Sequence, residues 1–168
     1  MTRTQGWLRL GSIAVVGLGC LLIVRTTARG FQLTAATEDV DNAGQSLTVE
    51  HEVVALTFVG ASAGWNDKVG WEGPVASAVL DCHEVVPGFT MLVGSYDGRE
   101  ELQLSLTTPD GVVWTTGPGD RNSDGVPHAR LRAISPDTVR VEWEDLPTDG
   151  DADFNDCVVD LRISPITR

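Results

Sequence analysis

The sequence predicts an all-β fold: an antiparallel β-sandwich of about eight strands, jelly-roll-like, preceded by an N-terminal hydrophobic helix. Three observations carry this expectation. From Leu47 onward apolar and polar residues alternate with the period of two that buries one face of a strand. Turn-forming residues interrupt the alternation at Gly73-Pro74, Pro87-Gly88, Asp97-Gly98, Pro109-Asp110-Gly111, Gly117-Pro118-Gly119 and Ser135-Pro136-Asp137, a spacing that suits short antiparallel strands. After residue 46 there is no heptad, no repeat of solenoid length and no amphipathic helix.

Taken in order, residues 1–30 have the layout of an export signal, with Arg3 and Arg9 before the apolar stretch Leu10 to Val24 and Arg25 and Arg29 after it. That stretch of fifteen residues rises only ~22 Å as a helix, against a hydrocarbon core of ~30 Å. The reading is a cleaved signal peptide, with an uncleaved membrane anchor as the alternative, and the domain is exported: secreted, periplasmic or at the cell surface. Cys20 reads as an ordinary member of the apolar run. Residues 31–46 are small and polar without a period and read as a flexible linker to a domain spanning 47–168.

In the first long segment Leu47 and Val49 share one parity while Val54, Leu56 and Phe58 share the other, which requires a bulge or break near His51. Leu102, Leu104 and Leu106 alternate with Gln103, Ser105 and Thr107; Ala129, Leu131 and Ala133 alternate with Arg130 and Arg132; Val139, Val141 and Trp143 alternate with Arg140 and Glu142. Each of these segments buries one face. Cys82 and Cys157 lie on such faces, and in an exported domain they form a disulfide pair, with two separate buried thiols as the alternative.

Charge narrows the function. Beyond residue 30 the chain carries 8 Lys plus Arg against 24 Asp plus Glu, a net of −16, which disfavours nucleic acid and anionic membrane as partners. The membrane is reached only through the N-terminal segment, if it is uncleaved. Eleven of the 24 acids fall between Asp120 and Asp160, so the acidity is local.

The densest stretch, Glu144 to Asp156, holds six carboxylates (Glu144, Asp145, Asp149, Asp151, Asp153 and Asp156) and the carboxamide of Asn155 within thirteen residues. Like charges so crowded repel unless a cation sits among them, and hard oxygen donors suit Ca2+. Asp149, Asp151 and Asp153 follow the one, three, five spacing of a calcium loop, but Phe154 replaces its glycine and Asp160 its closing Glu, so an EF-hand proper is not expected. A smaller loop upstream has Asp120, Asn122 and Asp124 at the same spacing and then Gly125, without a closing carboxylate. It reads equally as a metal loop that borrows Glu144 or Asp145 and as an ordinary turn. His128 either orients a loop carboxylate or is a surface or half-buried histidine.

The run Trp143-Glu-Asp-Leu-Pro-Thr-Asp-Gly-Asp-Ala-Asp-Phe-Asn-Asp-Cys-Val-Val resembles the signature of the bacterial domain of unknown function 4114. Ala63-Gly64-Trp65-Asn66 with Gly70-Trp71, Gly88-Phe89-Thr90-Met91-Leu92-Val93, and Asn122-Ser123-Asp124-Gly125 with His128 are similar to further segments of that family, so the resemblance spans about 47 to 163. It implies an exported β-rich module of surface proteins and adhesins that binds calcium, and it implies no reaction. The two cysteines, and Trp65 and Trp71 where tyrosines are usual, depart from the pattern.

The function expected is therefore an exported, calcium-binding, non-enzymatic module of adhesion or ligand interaction, with a glycan or a surface protein as partner. Two alternatives stand beside it. Trp65, Asn66 and Trp71 could form a carbohydrate-binding face near the ion, as in a lectin, or simply pack. A carboxylate-based hydrolase would need two facing acids in a cleft. Cys82 and His83 are adjacent and point to opposite faces of a strand, which disfavours a nucleophile pair.

Overall fold

The computed structural model describes residues 32–34, 43–71, 78–148 and 150–167. The hydrophobic segment at 1–30 lies outside these, as does 35–42 of the stretch read as a linker. Among the described residues no helix is long and apolar enough to cross a membrane.

Two antiparallel sheets pack face to face. The strands are β1 (Gln32–Thr34), β2 (Ser46–Gly60), β3 (Lys68–Trp71), β4 (Ala78–Asp81), β5 (Thr90–Leu102), β6 (Leu104–Thr107), β7 (Val113–Thr115), β8 (Ala129–Ser135), β9 (Thr138–Trp143) and β10 (Cys157–Pro165). The first sheet runs β5-β2-β10-β9-β8, and β1 takes the β10 side of β2 beyond the end of β10. The second runs β4-β3-β6-β7. The fold class is the one the alternation predicts, with ten described strands in place of about eight. The excess comes from β7, too short to show a period, and from β1, which lies within the stretch read as a linker and pairs with Ser46–Thr48 through its backbone. Ala43 also bridges Arg130, so the chain entering β2 covers the free edge of β8.

The parity change in β2 is a bulge. His51 has φ 57° and the register shifts between Glu50 and Glu52. Leu47 and Val49 are buried before it and Val54, Leu56 and Phe58 after it. Asp97-Gly98, which reads as a turn, is instead the partner of that bulge inside β5: Glu50 pairs with Arg99 and Glu52 with Tyr96, leaving two residues opposite one. Leu102, Leu104 and Leu106 keep one face because the chain crosses between sheets at Gln103, from β5 into β6.

The inner faces supply Val54, Leu56, Val93, Val141, Val159 and Leu161 from one sheet and Val69, Leu80, Leu106 and Trp114 from the other, all buried. Each contributes roughly 1.5–3 kcal/mol by leaving water. Cys82, just after β4, is bonded to Cys157, the first residue of β10, with Cα atoms 6.1 Å apart. The disulfide joins the two sheets, as its apolar flanks suggest, and closes 75 residues of chain. In the chain-entropy model that is worth roughly 4 kcal/mol.

Candidate metal centre

The acidic stretch is the connection between β9 and β10. Pairing of these strands ends at Trp143 opposite Cys157, and the Asp156 N–H donates to the Trp143 carbonyl at 3.1 Å. Glu144 and Asp156 therefore leave neighbouring strands side by side at the mouth of the loop. The loop then folds back through Ala152 at φ 53° and Phe154 at φ 59°. A positive φ is strained for a residue as bulky as Phe154. Burial of its ring, with the Arg130 guanidinium 3.8 Å from the ring centre, offsets that cost.

This fold-back brings Asp153 to Glu144 and Asp156. One carboxylate oxygen from each of the three lies within 4.8 Å of the others, a group that could hold a metal ion. Glu144 is 5% exposed, and although the backbone N–H groups of Phe154 and Leu146 face its carboxylate, neither carboxylate oxygen is within good hydrogen-bond geometry of a donor. An acceptor without a donor in a buried place is costly, and a cation at this point would satisfy it. Burial, and then the charge of Asp156, push the Glu144 carboxyl above its usual range. Asp156 is pushed up to about 6, first by burial and then by Asp145, Asp153 and Asp151, although the Asp145 N–H donates to it at 2.8 Å. Asp153 is exposed and is oriented by Asn155, whose backbone N–H and side-chain amide both donate to its carboxylate.

Of the other residues expected at the ion, Asp145 is nearly buried and turns toward Asp67, Asp151 is exposed, and Asp149 lies outside the described residues. Asn155 serves by holding Asp153, and its carbonyl accepts from Ser62 N–H at 3.0 Å.

The upstream loop does not bring its oxygens to this group. Asp120 is exposed on a 3-10 turn. The carboxamide oxygen of Asn122 accepts the Thr115 N–H at 2.7 Å, and its amide donates to Val126 at 2.8 Å. Asp124 accepts from the Val126 N–H and from the Thr148 hydroxyl, and meets His128 Nε2 at 3.0 Å. Partial burial opposes ionisation of Asp124, but the contact with His128 holds its carboxyl below the usual range. This loop is a support. His128 Nδ1 bonds the Glu144 carbonyl at 2.9 Å, and the ring stacks on Trp114 at 3.7 Å with planes 4° apart. Trp114 in turn donates from Nε1 to the Asp145 carbonyl at 2.8 Å. A stacked pair from two elements thus fixes consecutive carbonyls at the point where the acidic loop begins.

Two further residues have a signal in the sequence that the motif search passes over. Asp67 shares parity with Val69 and Trp71, so a carboxylate stands on a buried face, and Asp67 is 0% exposed. Gly150 lies over Glu144: a Cβ there would come within 2.5 Å of Glu144 Oε1 and 2.9 Å of Leu146 Cβ. The aromatic group separates. Trp71 is buried in the core, which removes it from any carbohydrate face, while Trp65 is 40% exposed and Asn66 donates to Asp81 at 3.1 Å. No protein-family model matches the chain and no curated protein matches it, so the chemistry of the site carries the functional argument.

Proposed function

We propose that this protein is an exported, calcium-binding and non-enzymatic interaction module, in which an ion held by Glu144, Asp153 and Asp156 fixes the β9–β10 loop as a recognition surface. The observation that supports this most directly is the buried Glu144 carboxylate, which makes no hydrogen bond of good geometry and converges with two more acids. An all-oxygen, all-carboxylate donor set favours a hard divalent cation, and an irregular loop suits calcium better than the octahedral demands of magnesium. Kinship with the bacterial domain of unknown function 4114, export, and a glycan or surface protein as partner belong to the same proposal. The hydrolase reading is weaker. Asp67 and Asp145, 0% and 5% exposed, are out of a substrate's reach, whereas glycoside hydrolysis needs its acids on either side of an accessible bond. The lectin reading keeps Trp65 and loses Trp71.

Calorimetric titration of calcium into the full chain tests the proposal. Binding should release or absorb heat, and calcium at a hundred times its Kd should raise Tm by about 10 °C, reversibly with EDTA. Glu144→Gln, which keeps the shape of the side chain, should remove at least half of that rise. An unchanged Tm and a flat titration of the wild type would overturn the assignment.

A further inference from the structure

Asp67 has no place in the site just described, yet it is the most deeply buried acid among the described residues. Neither of its carboxylate oxygens receives an N–H or hydroxyl donor. The polar group it meets is another acid, the carboxyl of Asp145, itself 5% exposed. The charged groups that act most strongly on Asp67 are acidic: Asp145, then Asp156, Asp110 and Asp81. Those that act on Asp145 are Asp67, Glu144 and Asp156. Two buried carboxyls therefore face each other, with a third alongside.

The fold goes to some length to hold them there. Asp67 leads into β3 of the second sheet, whereas Asp145 and Asp156 flank β9 and β10 of the first. The Asp67 carbonyl accepts the Cys82 N–H at 2.9 Å, and Cys82 is bonded to Cys157, the residue after Asp156. From the other side, Trp114 holds the Asp145 carbonyl. A covalent bond between sheets and a buried indole thus keep apart from water a set of like charges that would otherwise separate. Carboxyls crowded in so buried a setting are neutralised either by a shared proton or by a cation within the cluster.

We propose that Asp67 and Asp145 hold a second divalent cation between the two sheets, with Asp156 as the carboxylate shared with the ion at Glu144 and Asp153. Paired hard cations bridged by a carboxylate fit a donor set in which Asp156 converges with Glu144 and Asp153 and also contacts Asp145, through the Asp145 N–H at 2.8 Å. This rests on the first site only through Asp156, and the two can be separated experimentally.

Native mass spectrometry of the full chain in calcium should count two ions on the wild type. Asp67→Asn, which is isosteric, should retain one, and so should Asp153→Ala, because each variant loses a different ion. Asp145→Asn gives a second route to the same loss should Asp67→Asn fold poorly, with circular dichroism confirming the fold of each. One ion on the wild type, unchanged by Asp67→Asn, would mean that Asp67 and Asp145 share a proton instead, and would sink this inference while leaving the first site intact. No ion on any variant would remove both.

Discussion

Gly150 bears on the ion through sterics alone. It sits over the Glu144 carboxylate, and the space a Cβ would need is already taken by Glu144 Oε1 and Leu146 Cβ. Gly150→Ala should therefore displace the Glu144 carboxylate or the loop above it. Overpacking of this kind costs about 1–3 kcal/mol. Calorimetry should show calcium binding weakened by about tenfold or more, in addition to the fall in Tm in EDTA that the overpacking itself causes. An affinity equal to wild type would mean that Glu144 is not a ligand. Nothing in the composition of the loop distinguishes Gly150 from an ordinary turn glycine, because its constraint comes from a side chain six residues earlier in the chain.

At the scale of the element, the β9–β10 connection is a hairpin whose loop repels itself. The Asp156 carboxyl, ordinarily at 3.8, stands at about 6 in the folded chain, and Glu144 is also raised. A carboxyl whose folded pKa exceeds its unfolded one binds protons more tightly when folded, so without metal its contribution to stability is lost as pH rises. In EDTA the domain should lose on the order of 1–3 kcal/mol between about pH 4 and pH 6. Calcium competes with those protons, so in excess calcium Tm should hold or rise over the same interval. Thermal melts across that range, with EDTA and with calcium, should give curves that meet near pH 4 and separate progressively up to about pH 6. Parallel curves would show that these carboxyls do not bind the ion. The length and acidity of this loop are legible in the chain, and so are its strand flanks. The fold-back at Ala152 and Phe154 is not, because a positive φ at Phe154 is stable only once its ring is buried against Arg130.

For the whole molecule, the disulfide does two things at once: it closes a long stretch of chain and it places Asp67 of one sheet beside Asp145 and Asp156 of the other. Replacing both cysteines by alanine should cost about 2–5 kcal/mol, read as a drop in the denaturant midpoint. The calcium dependence of that midpoint should shrink as well, because the sheets are then free to part at the acidic end. A double variant that loses stability yet keeps the full calcium increment would assign the bond to chain entropy alone. The upstream loop reads equally as a metal loop and as an ordinary turn, and local hydrogen bonds favour the turn. Its Asp and Asn spacing is the right one, but Asn122 and Asp124 are taken up by Thr115, Val126, Thr148 and His128.

What the chain determines by itself is whatever depends on period and local composition: an all-β sandwich, a bulge or break near His51, a pair of cysteines on buried faces, and a late loop crowded with carboxylates. Alternation and turn chemistry act between near neighbours, so they can be read along the sequence. Which oxygens converge was decided only by the tertiary structure. Convergence depends on strands far apart in sequence being set side by side, and on which carboxylates are already taken up by nearer donors. Asp67 is brought to the acidic loop across the sandwich while Asp124, which looks the better ligand in sequence, is held by His128.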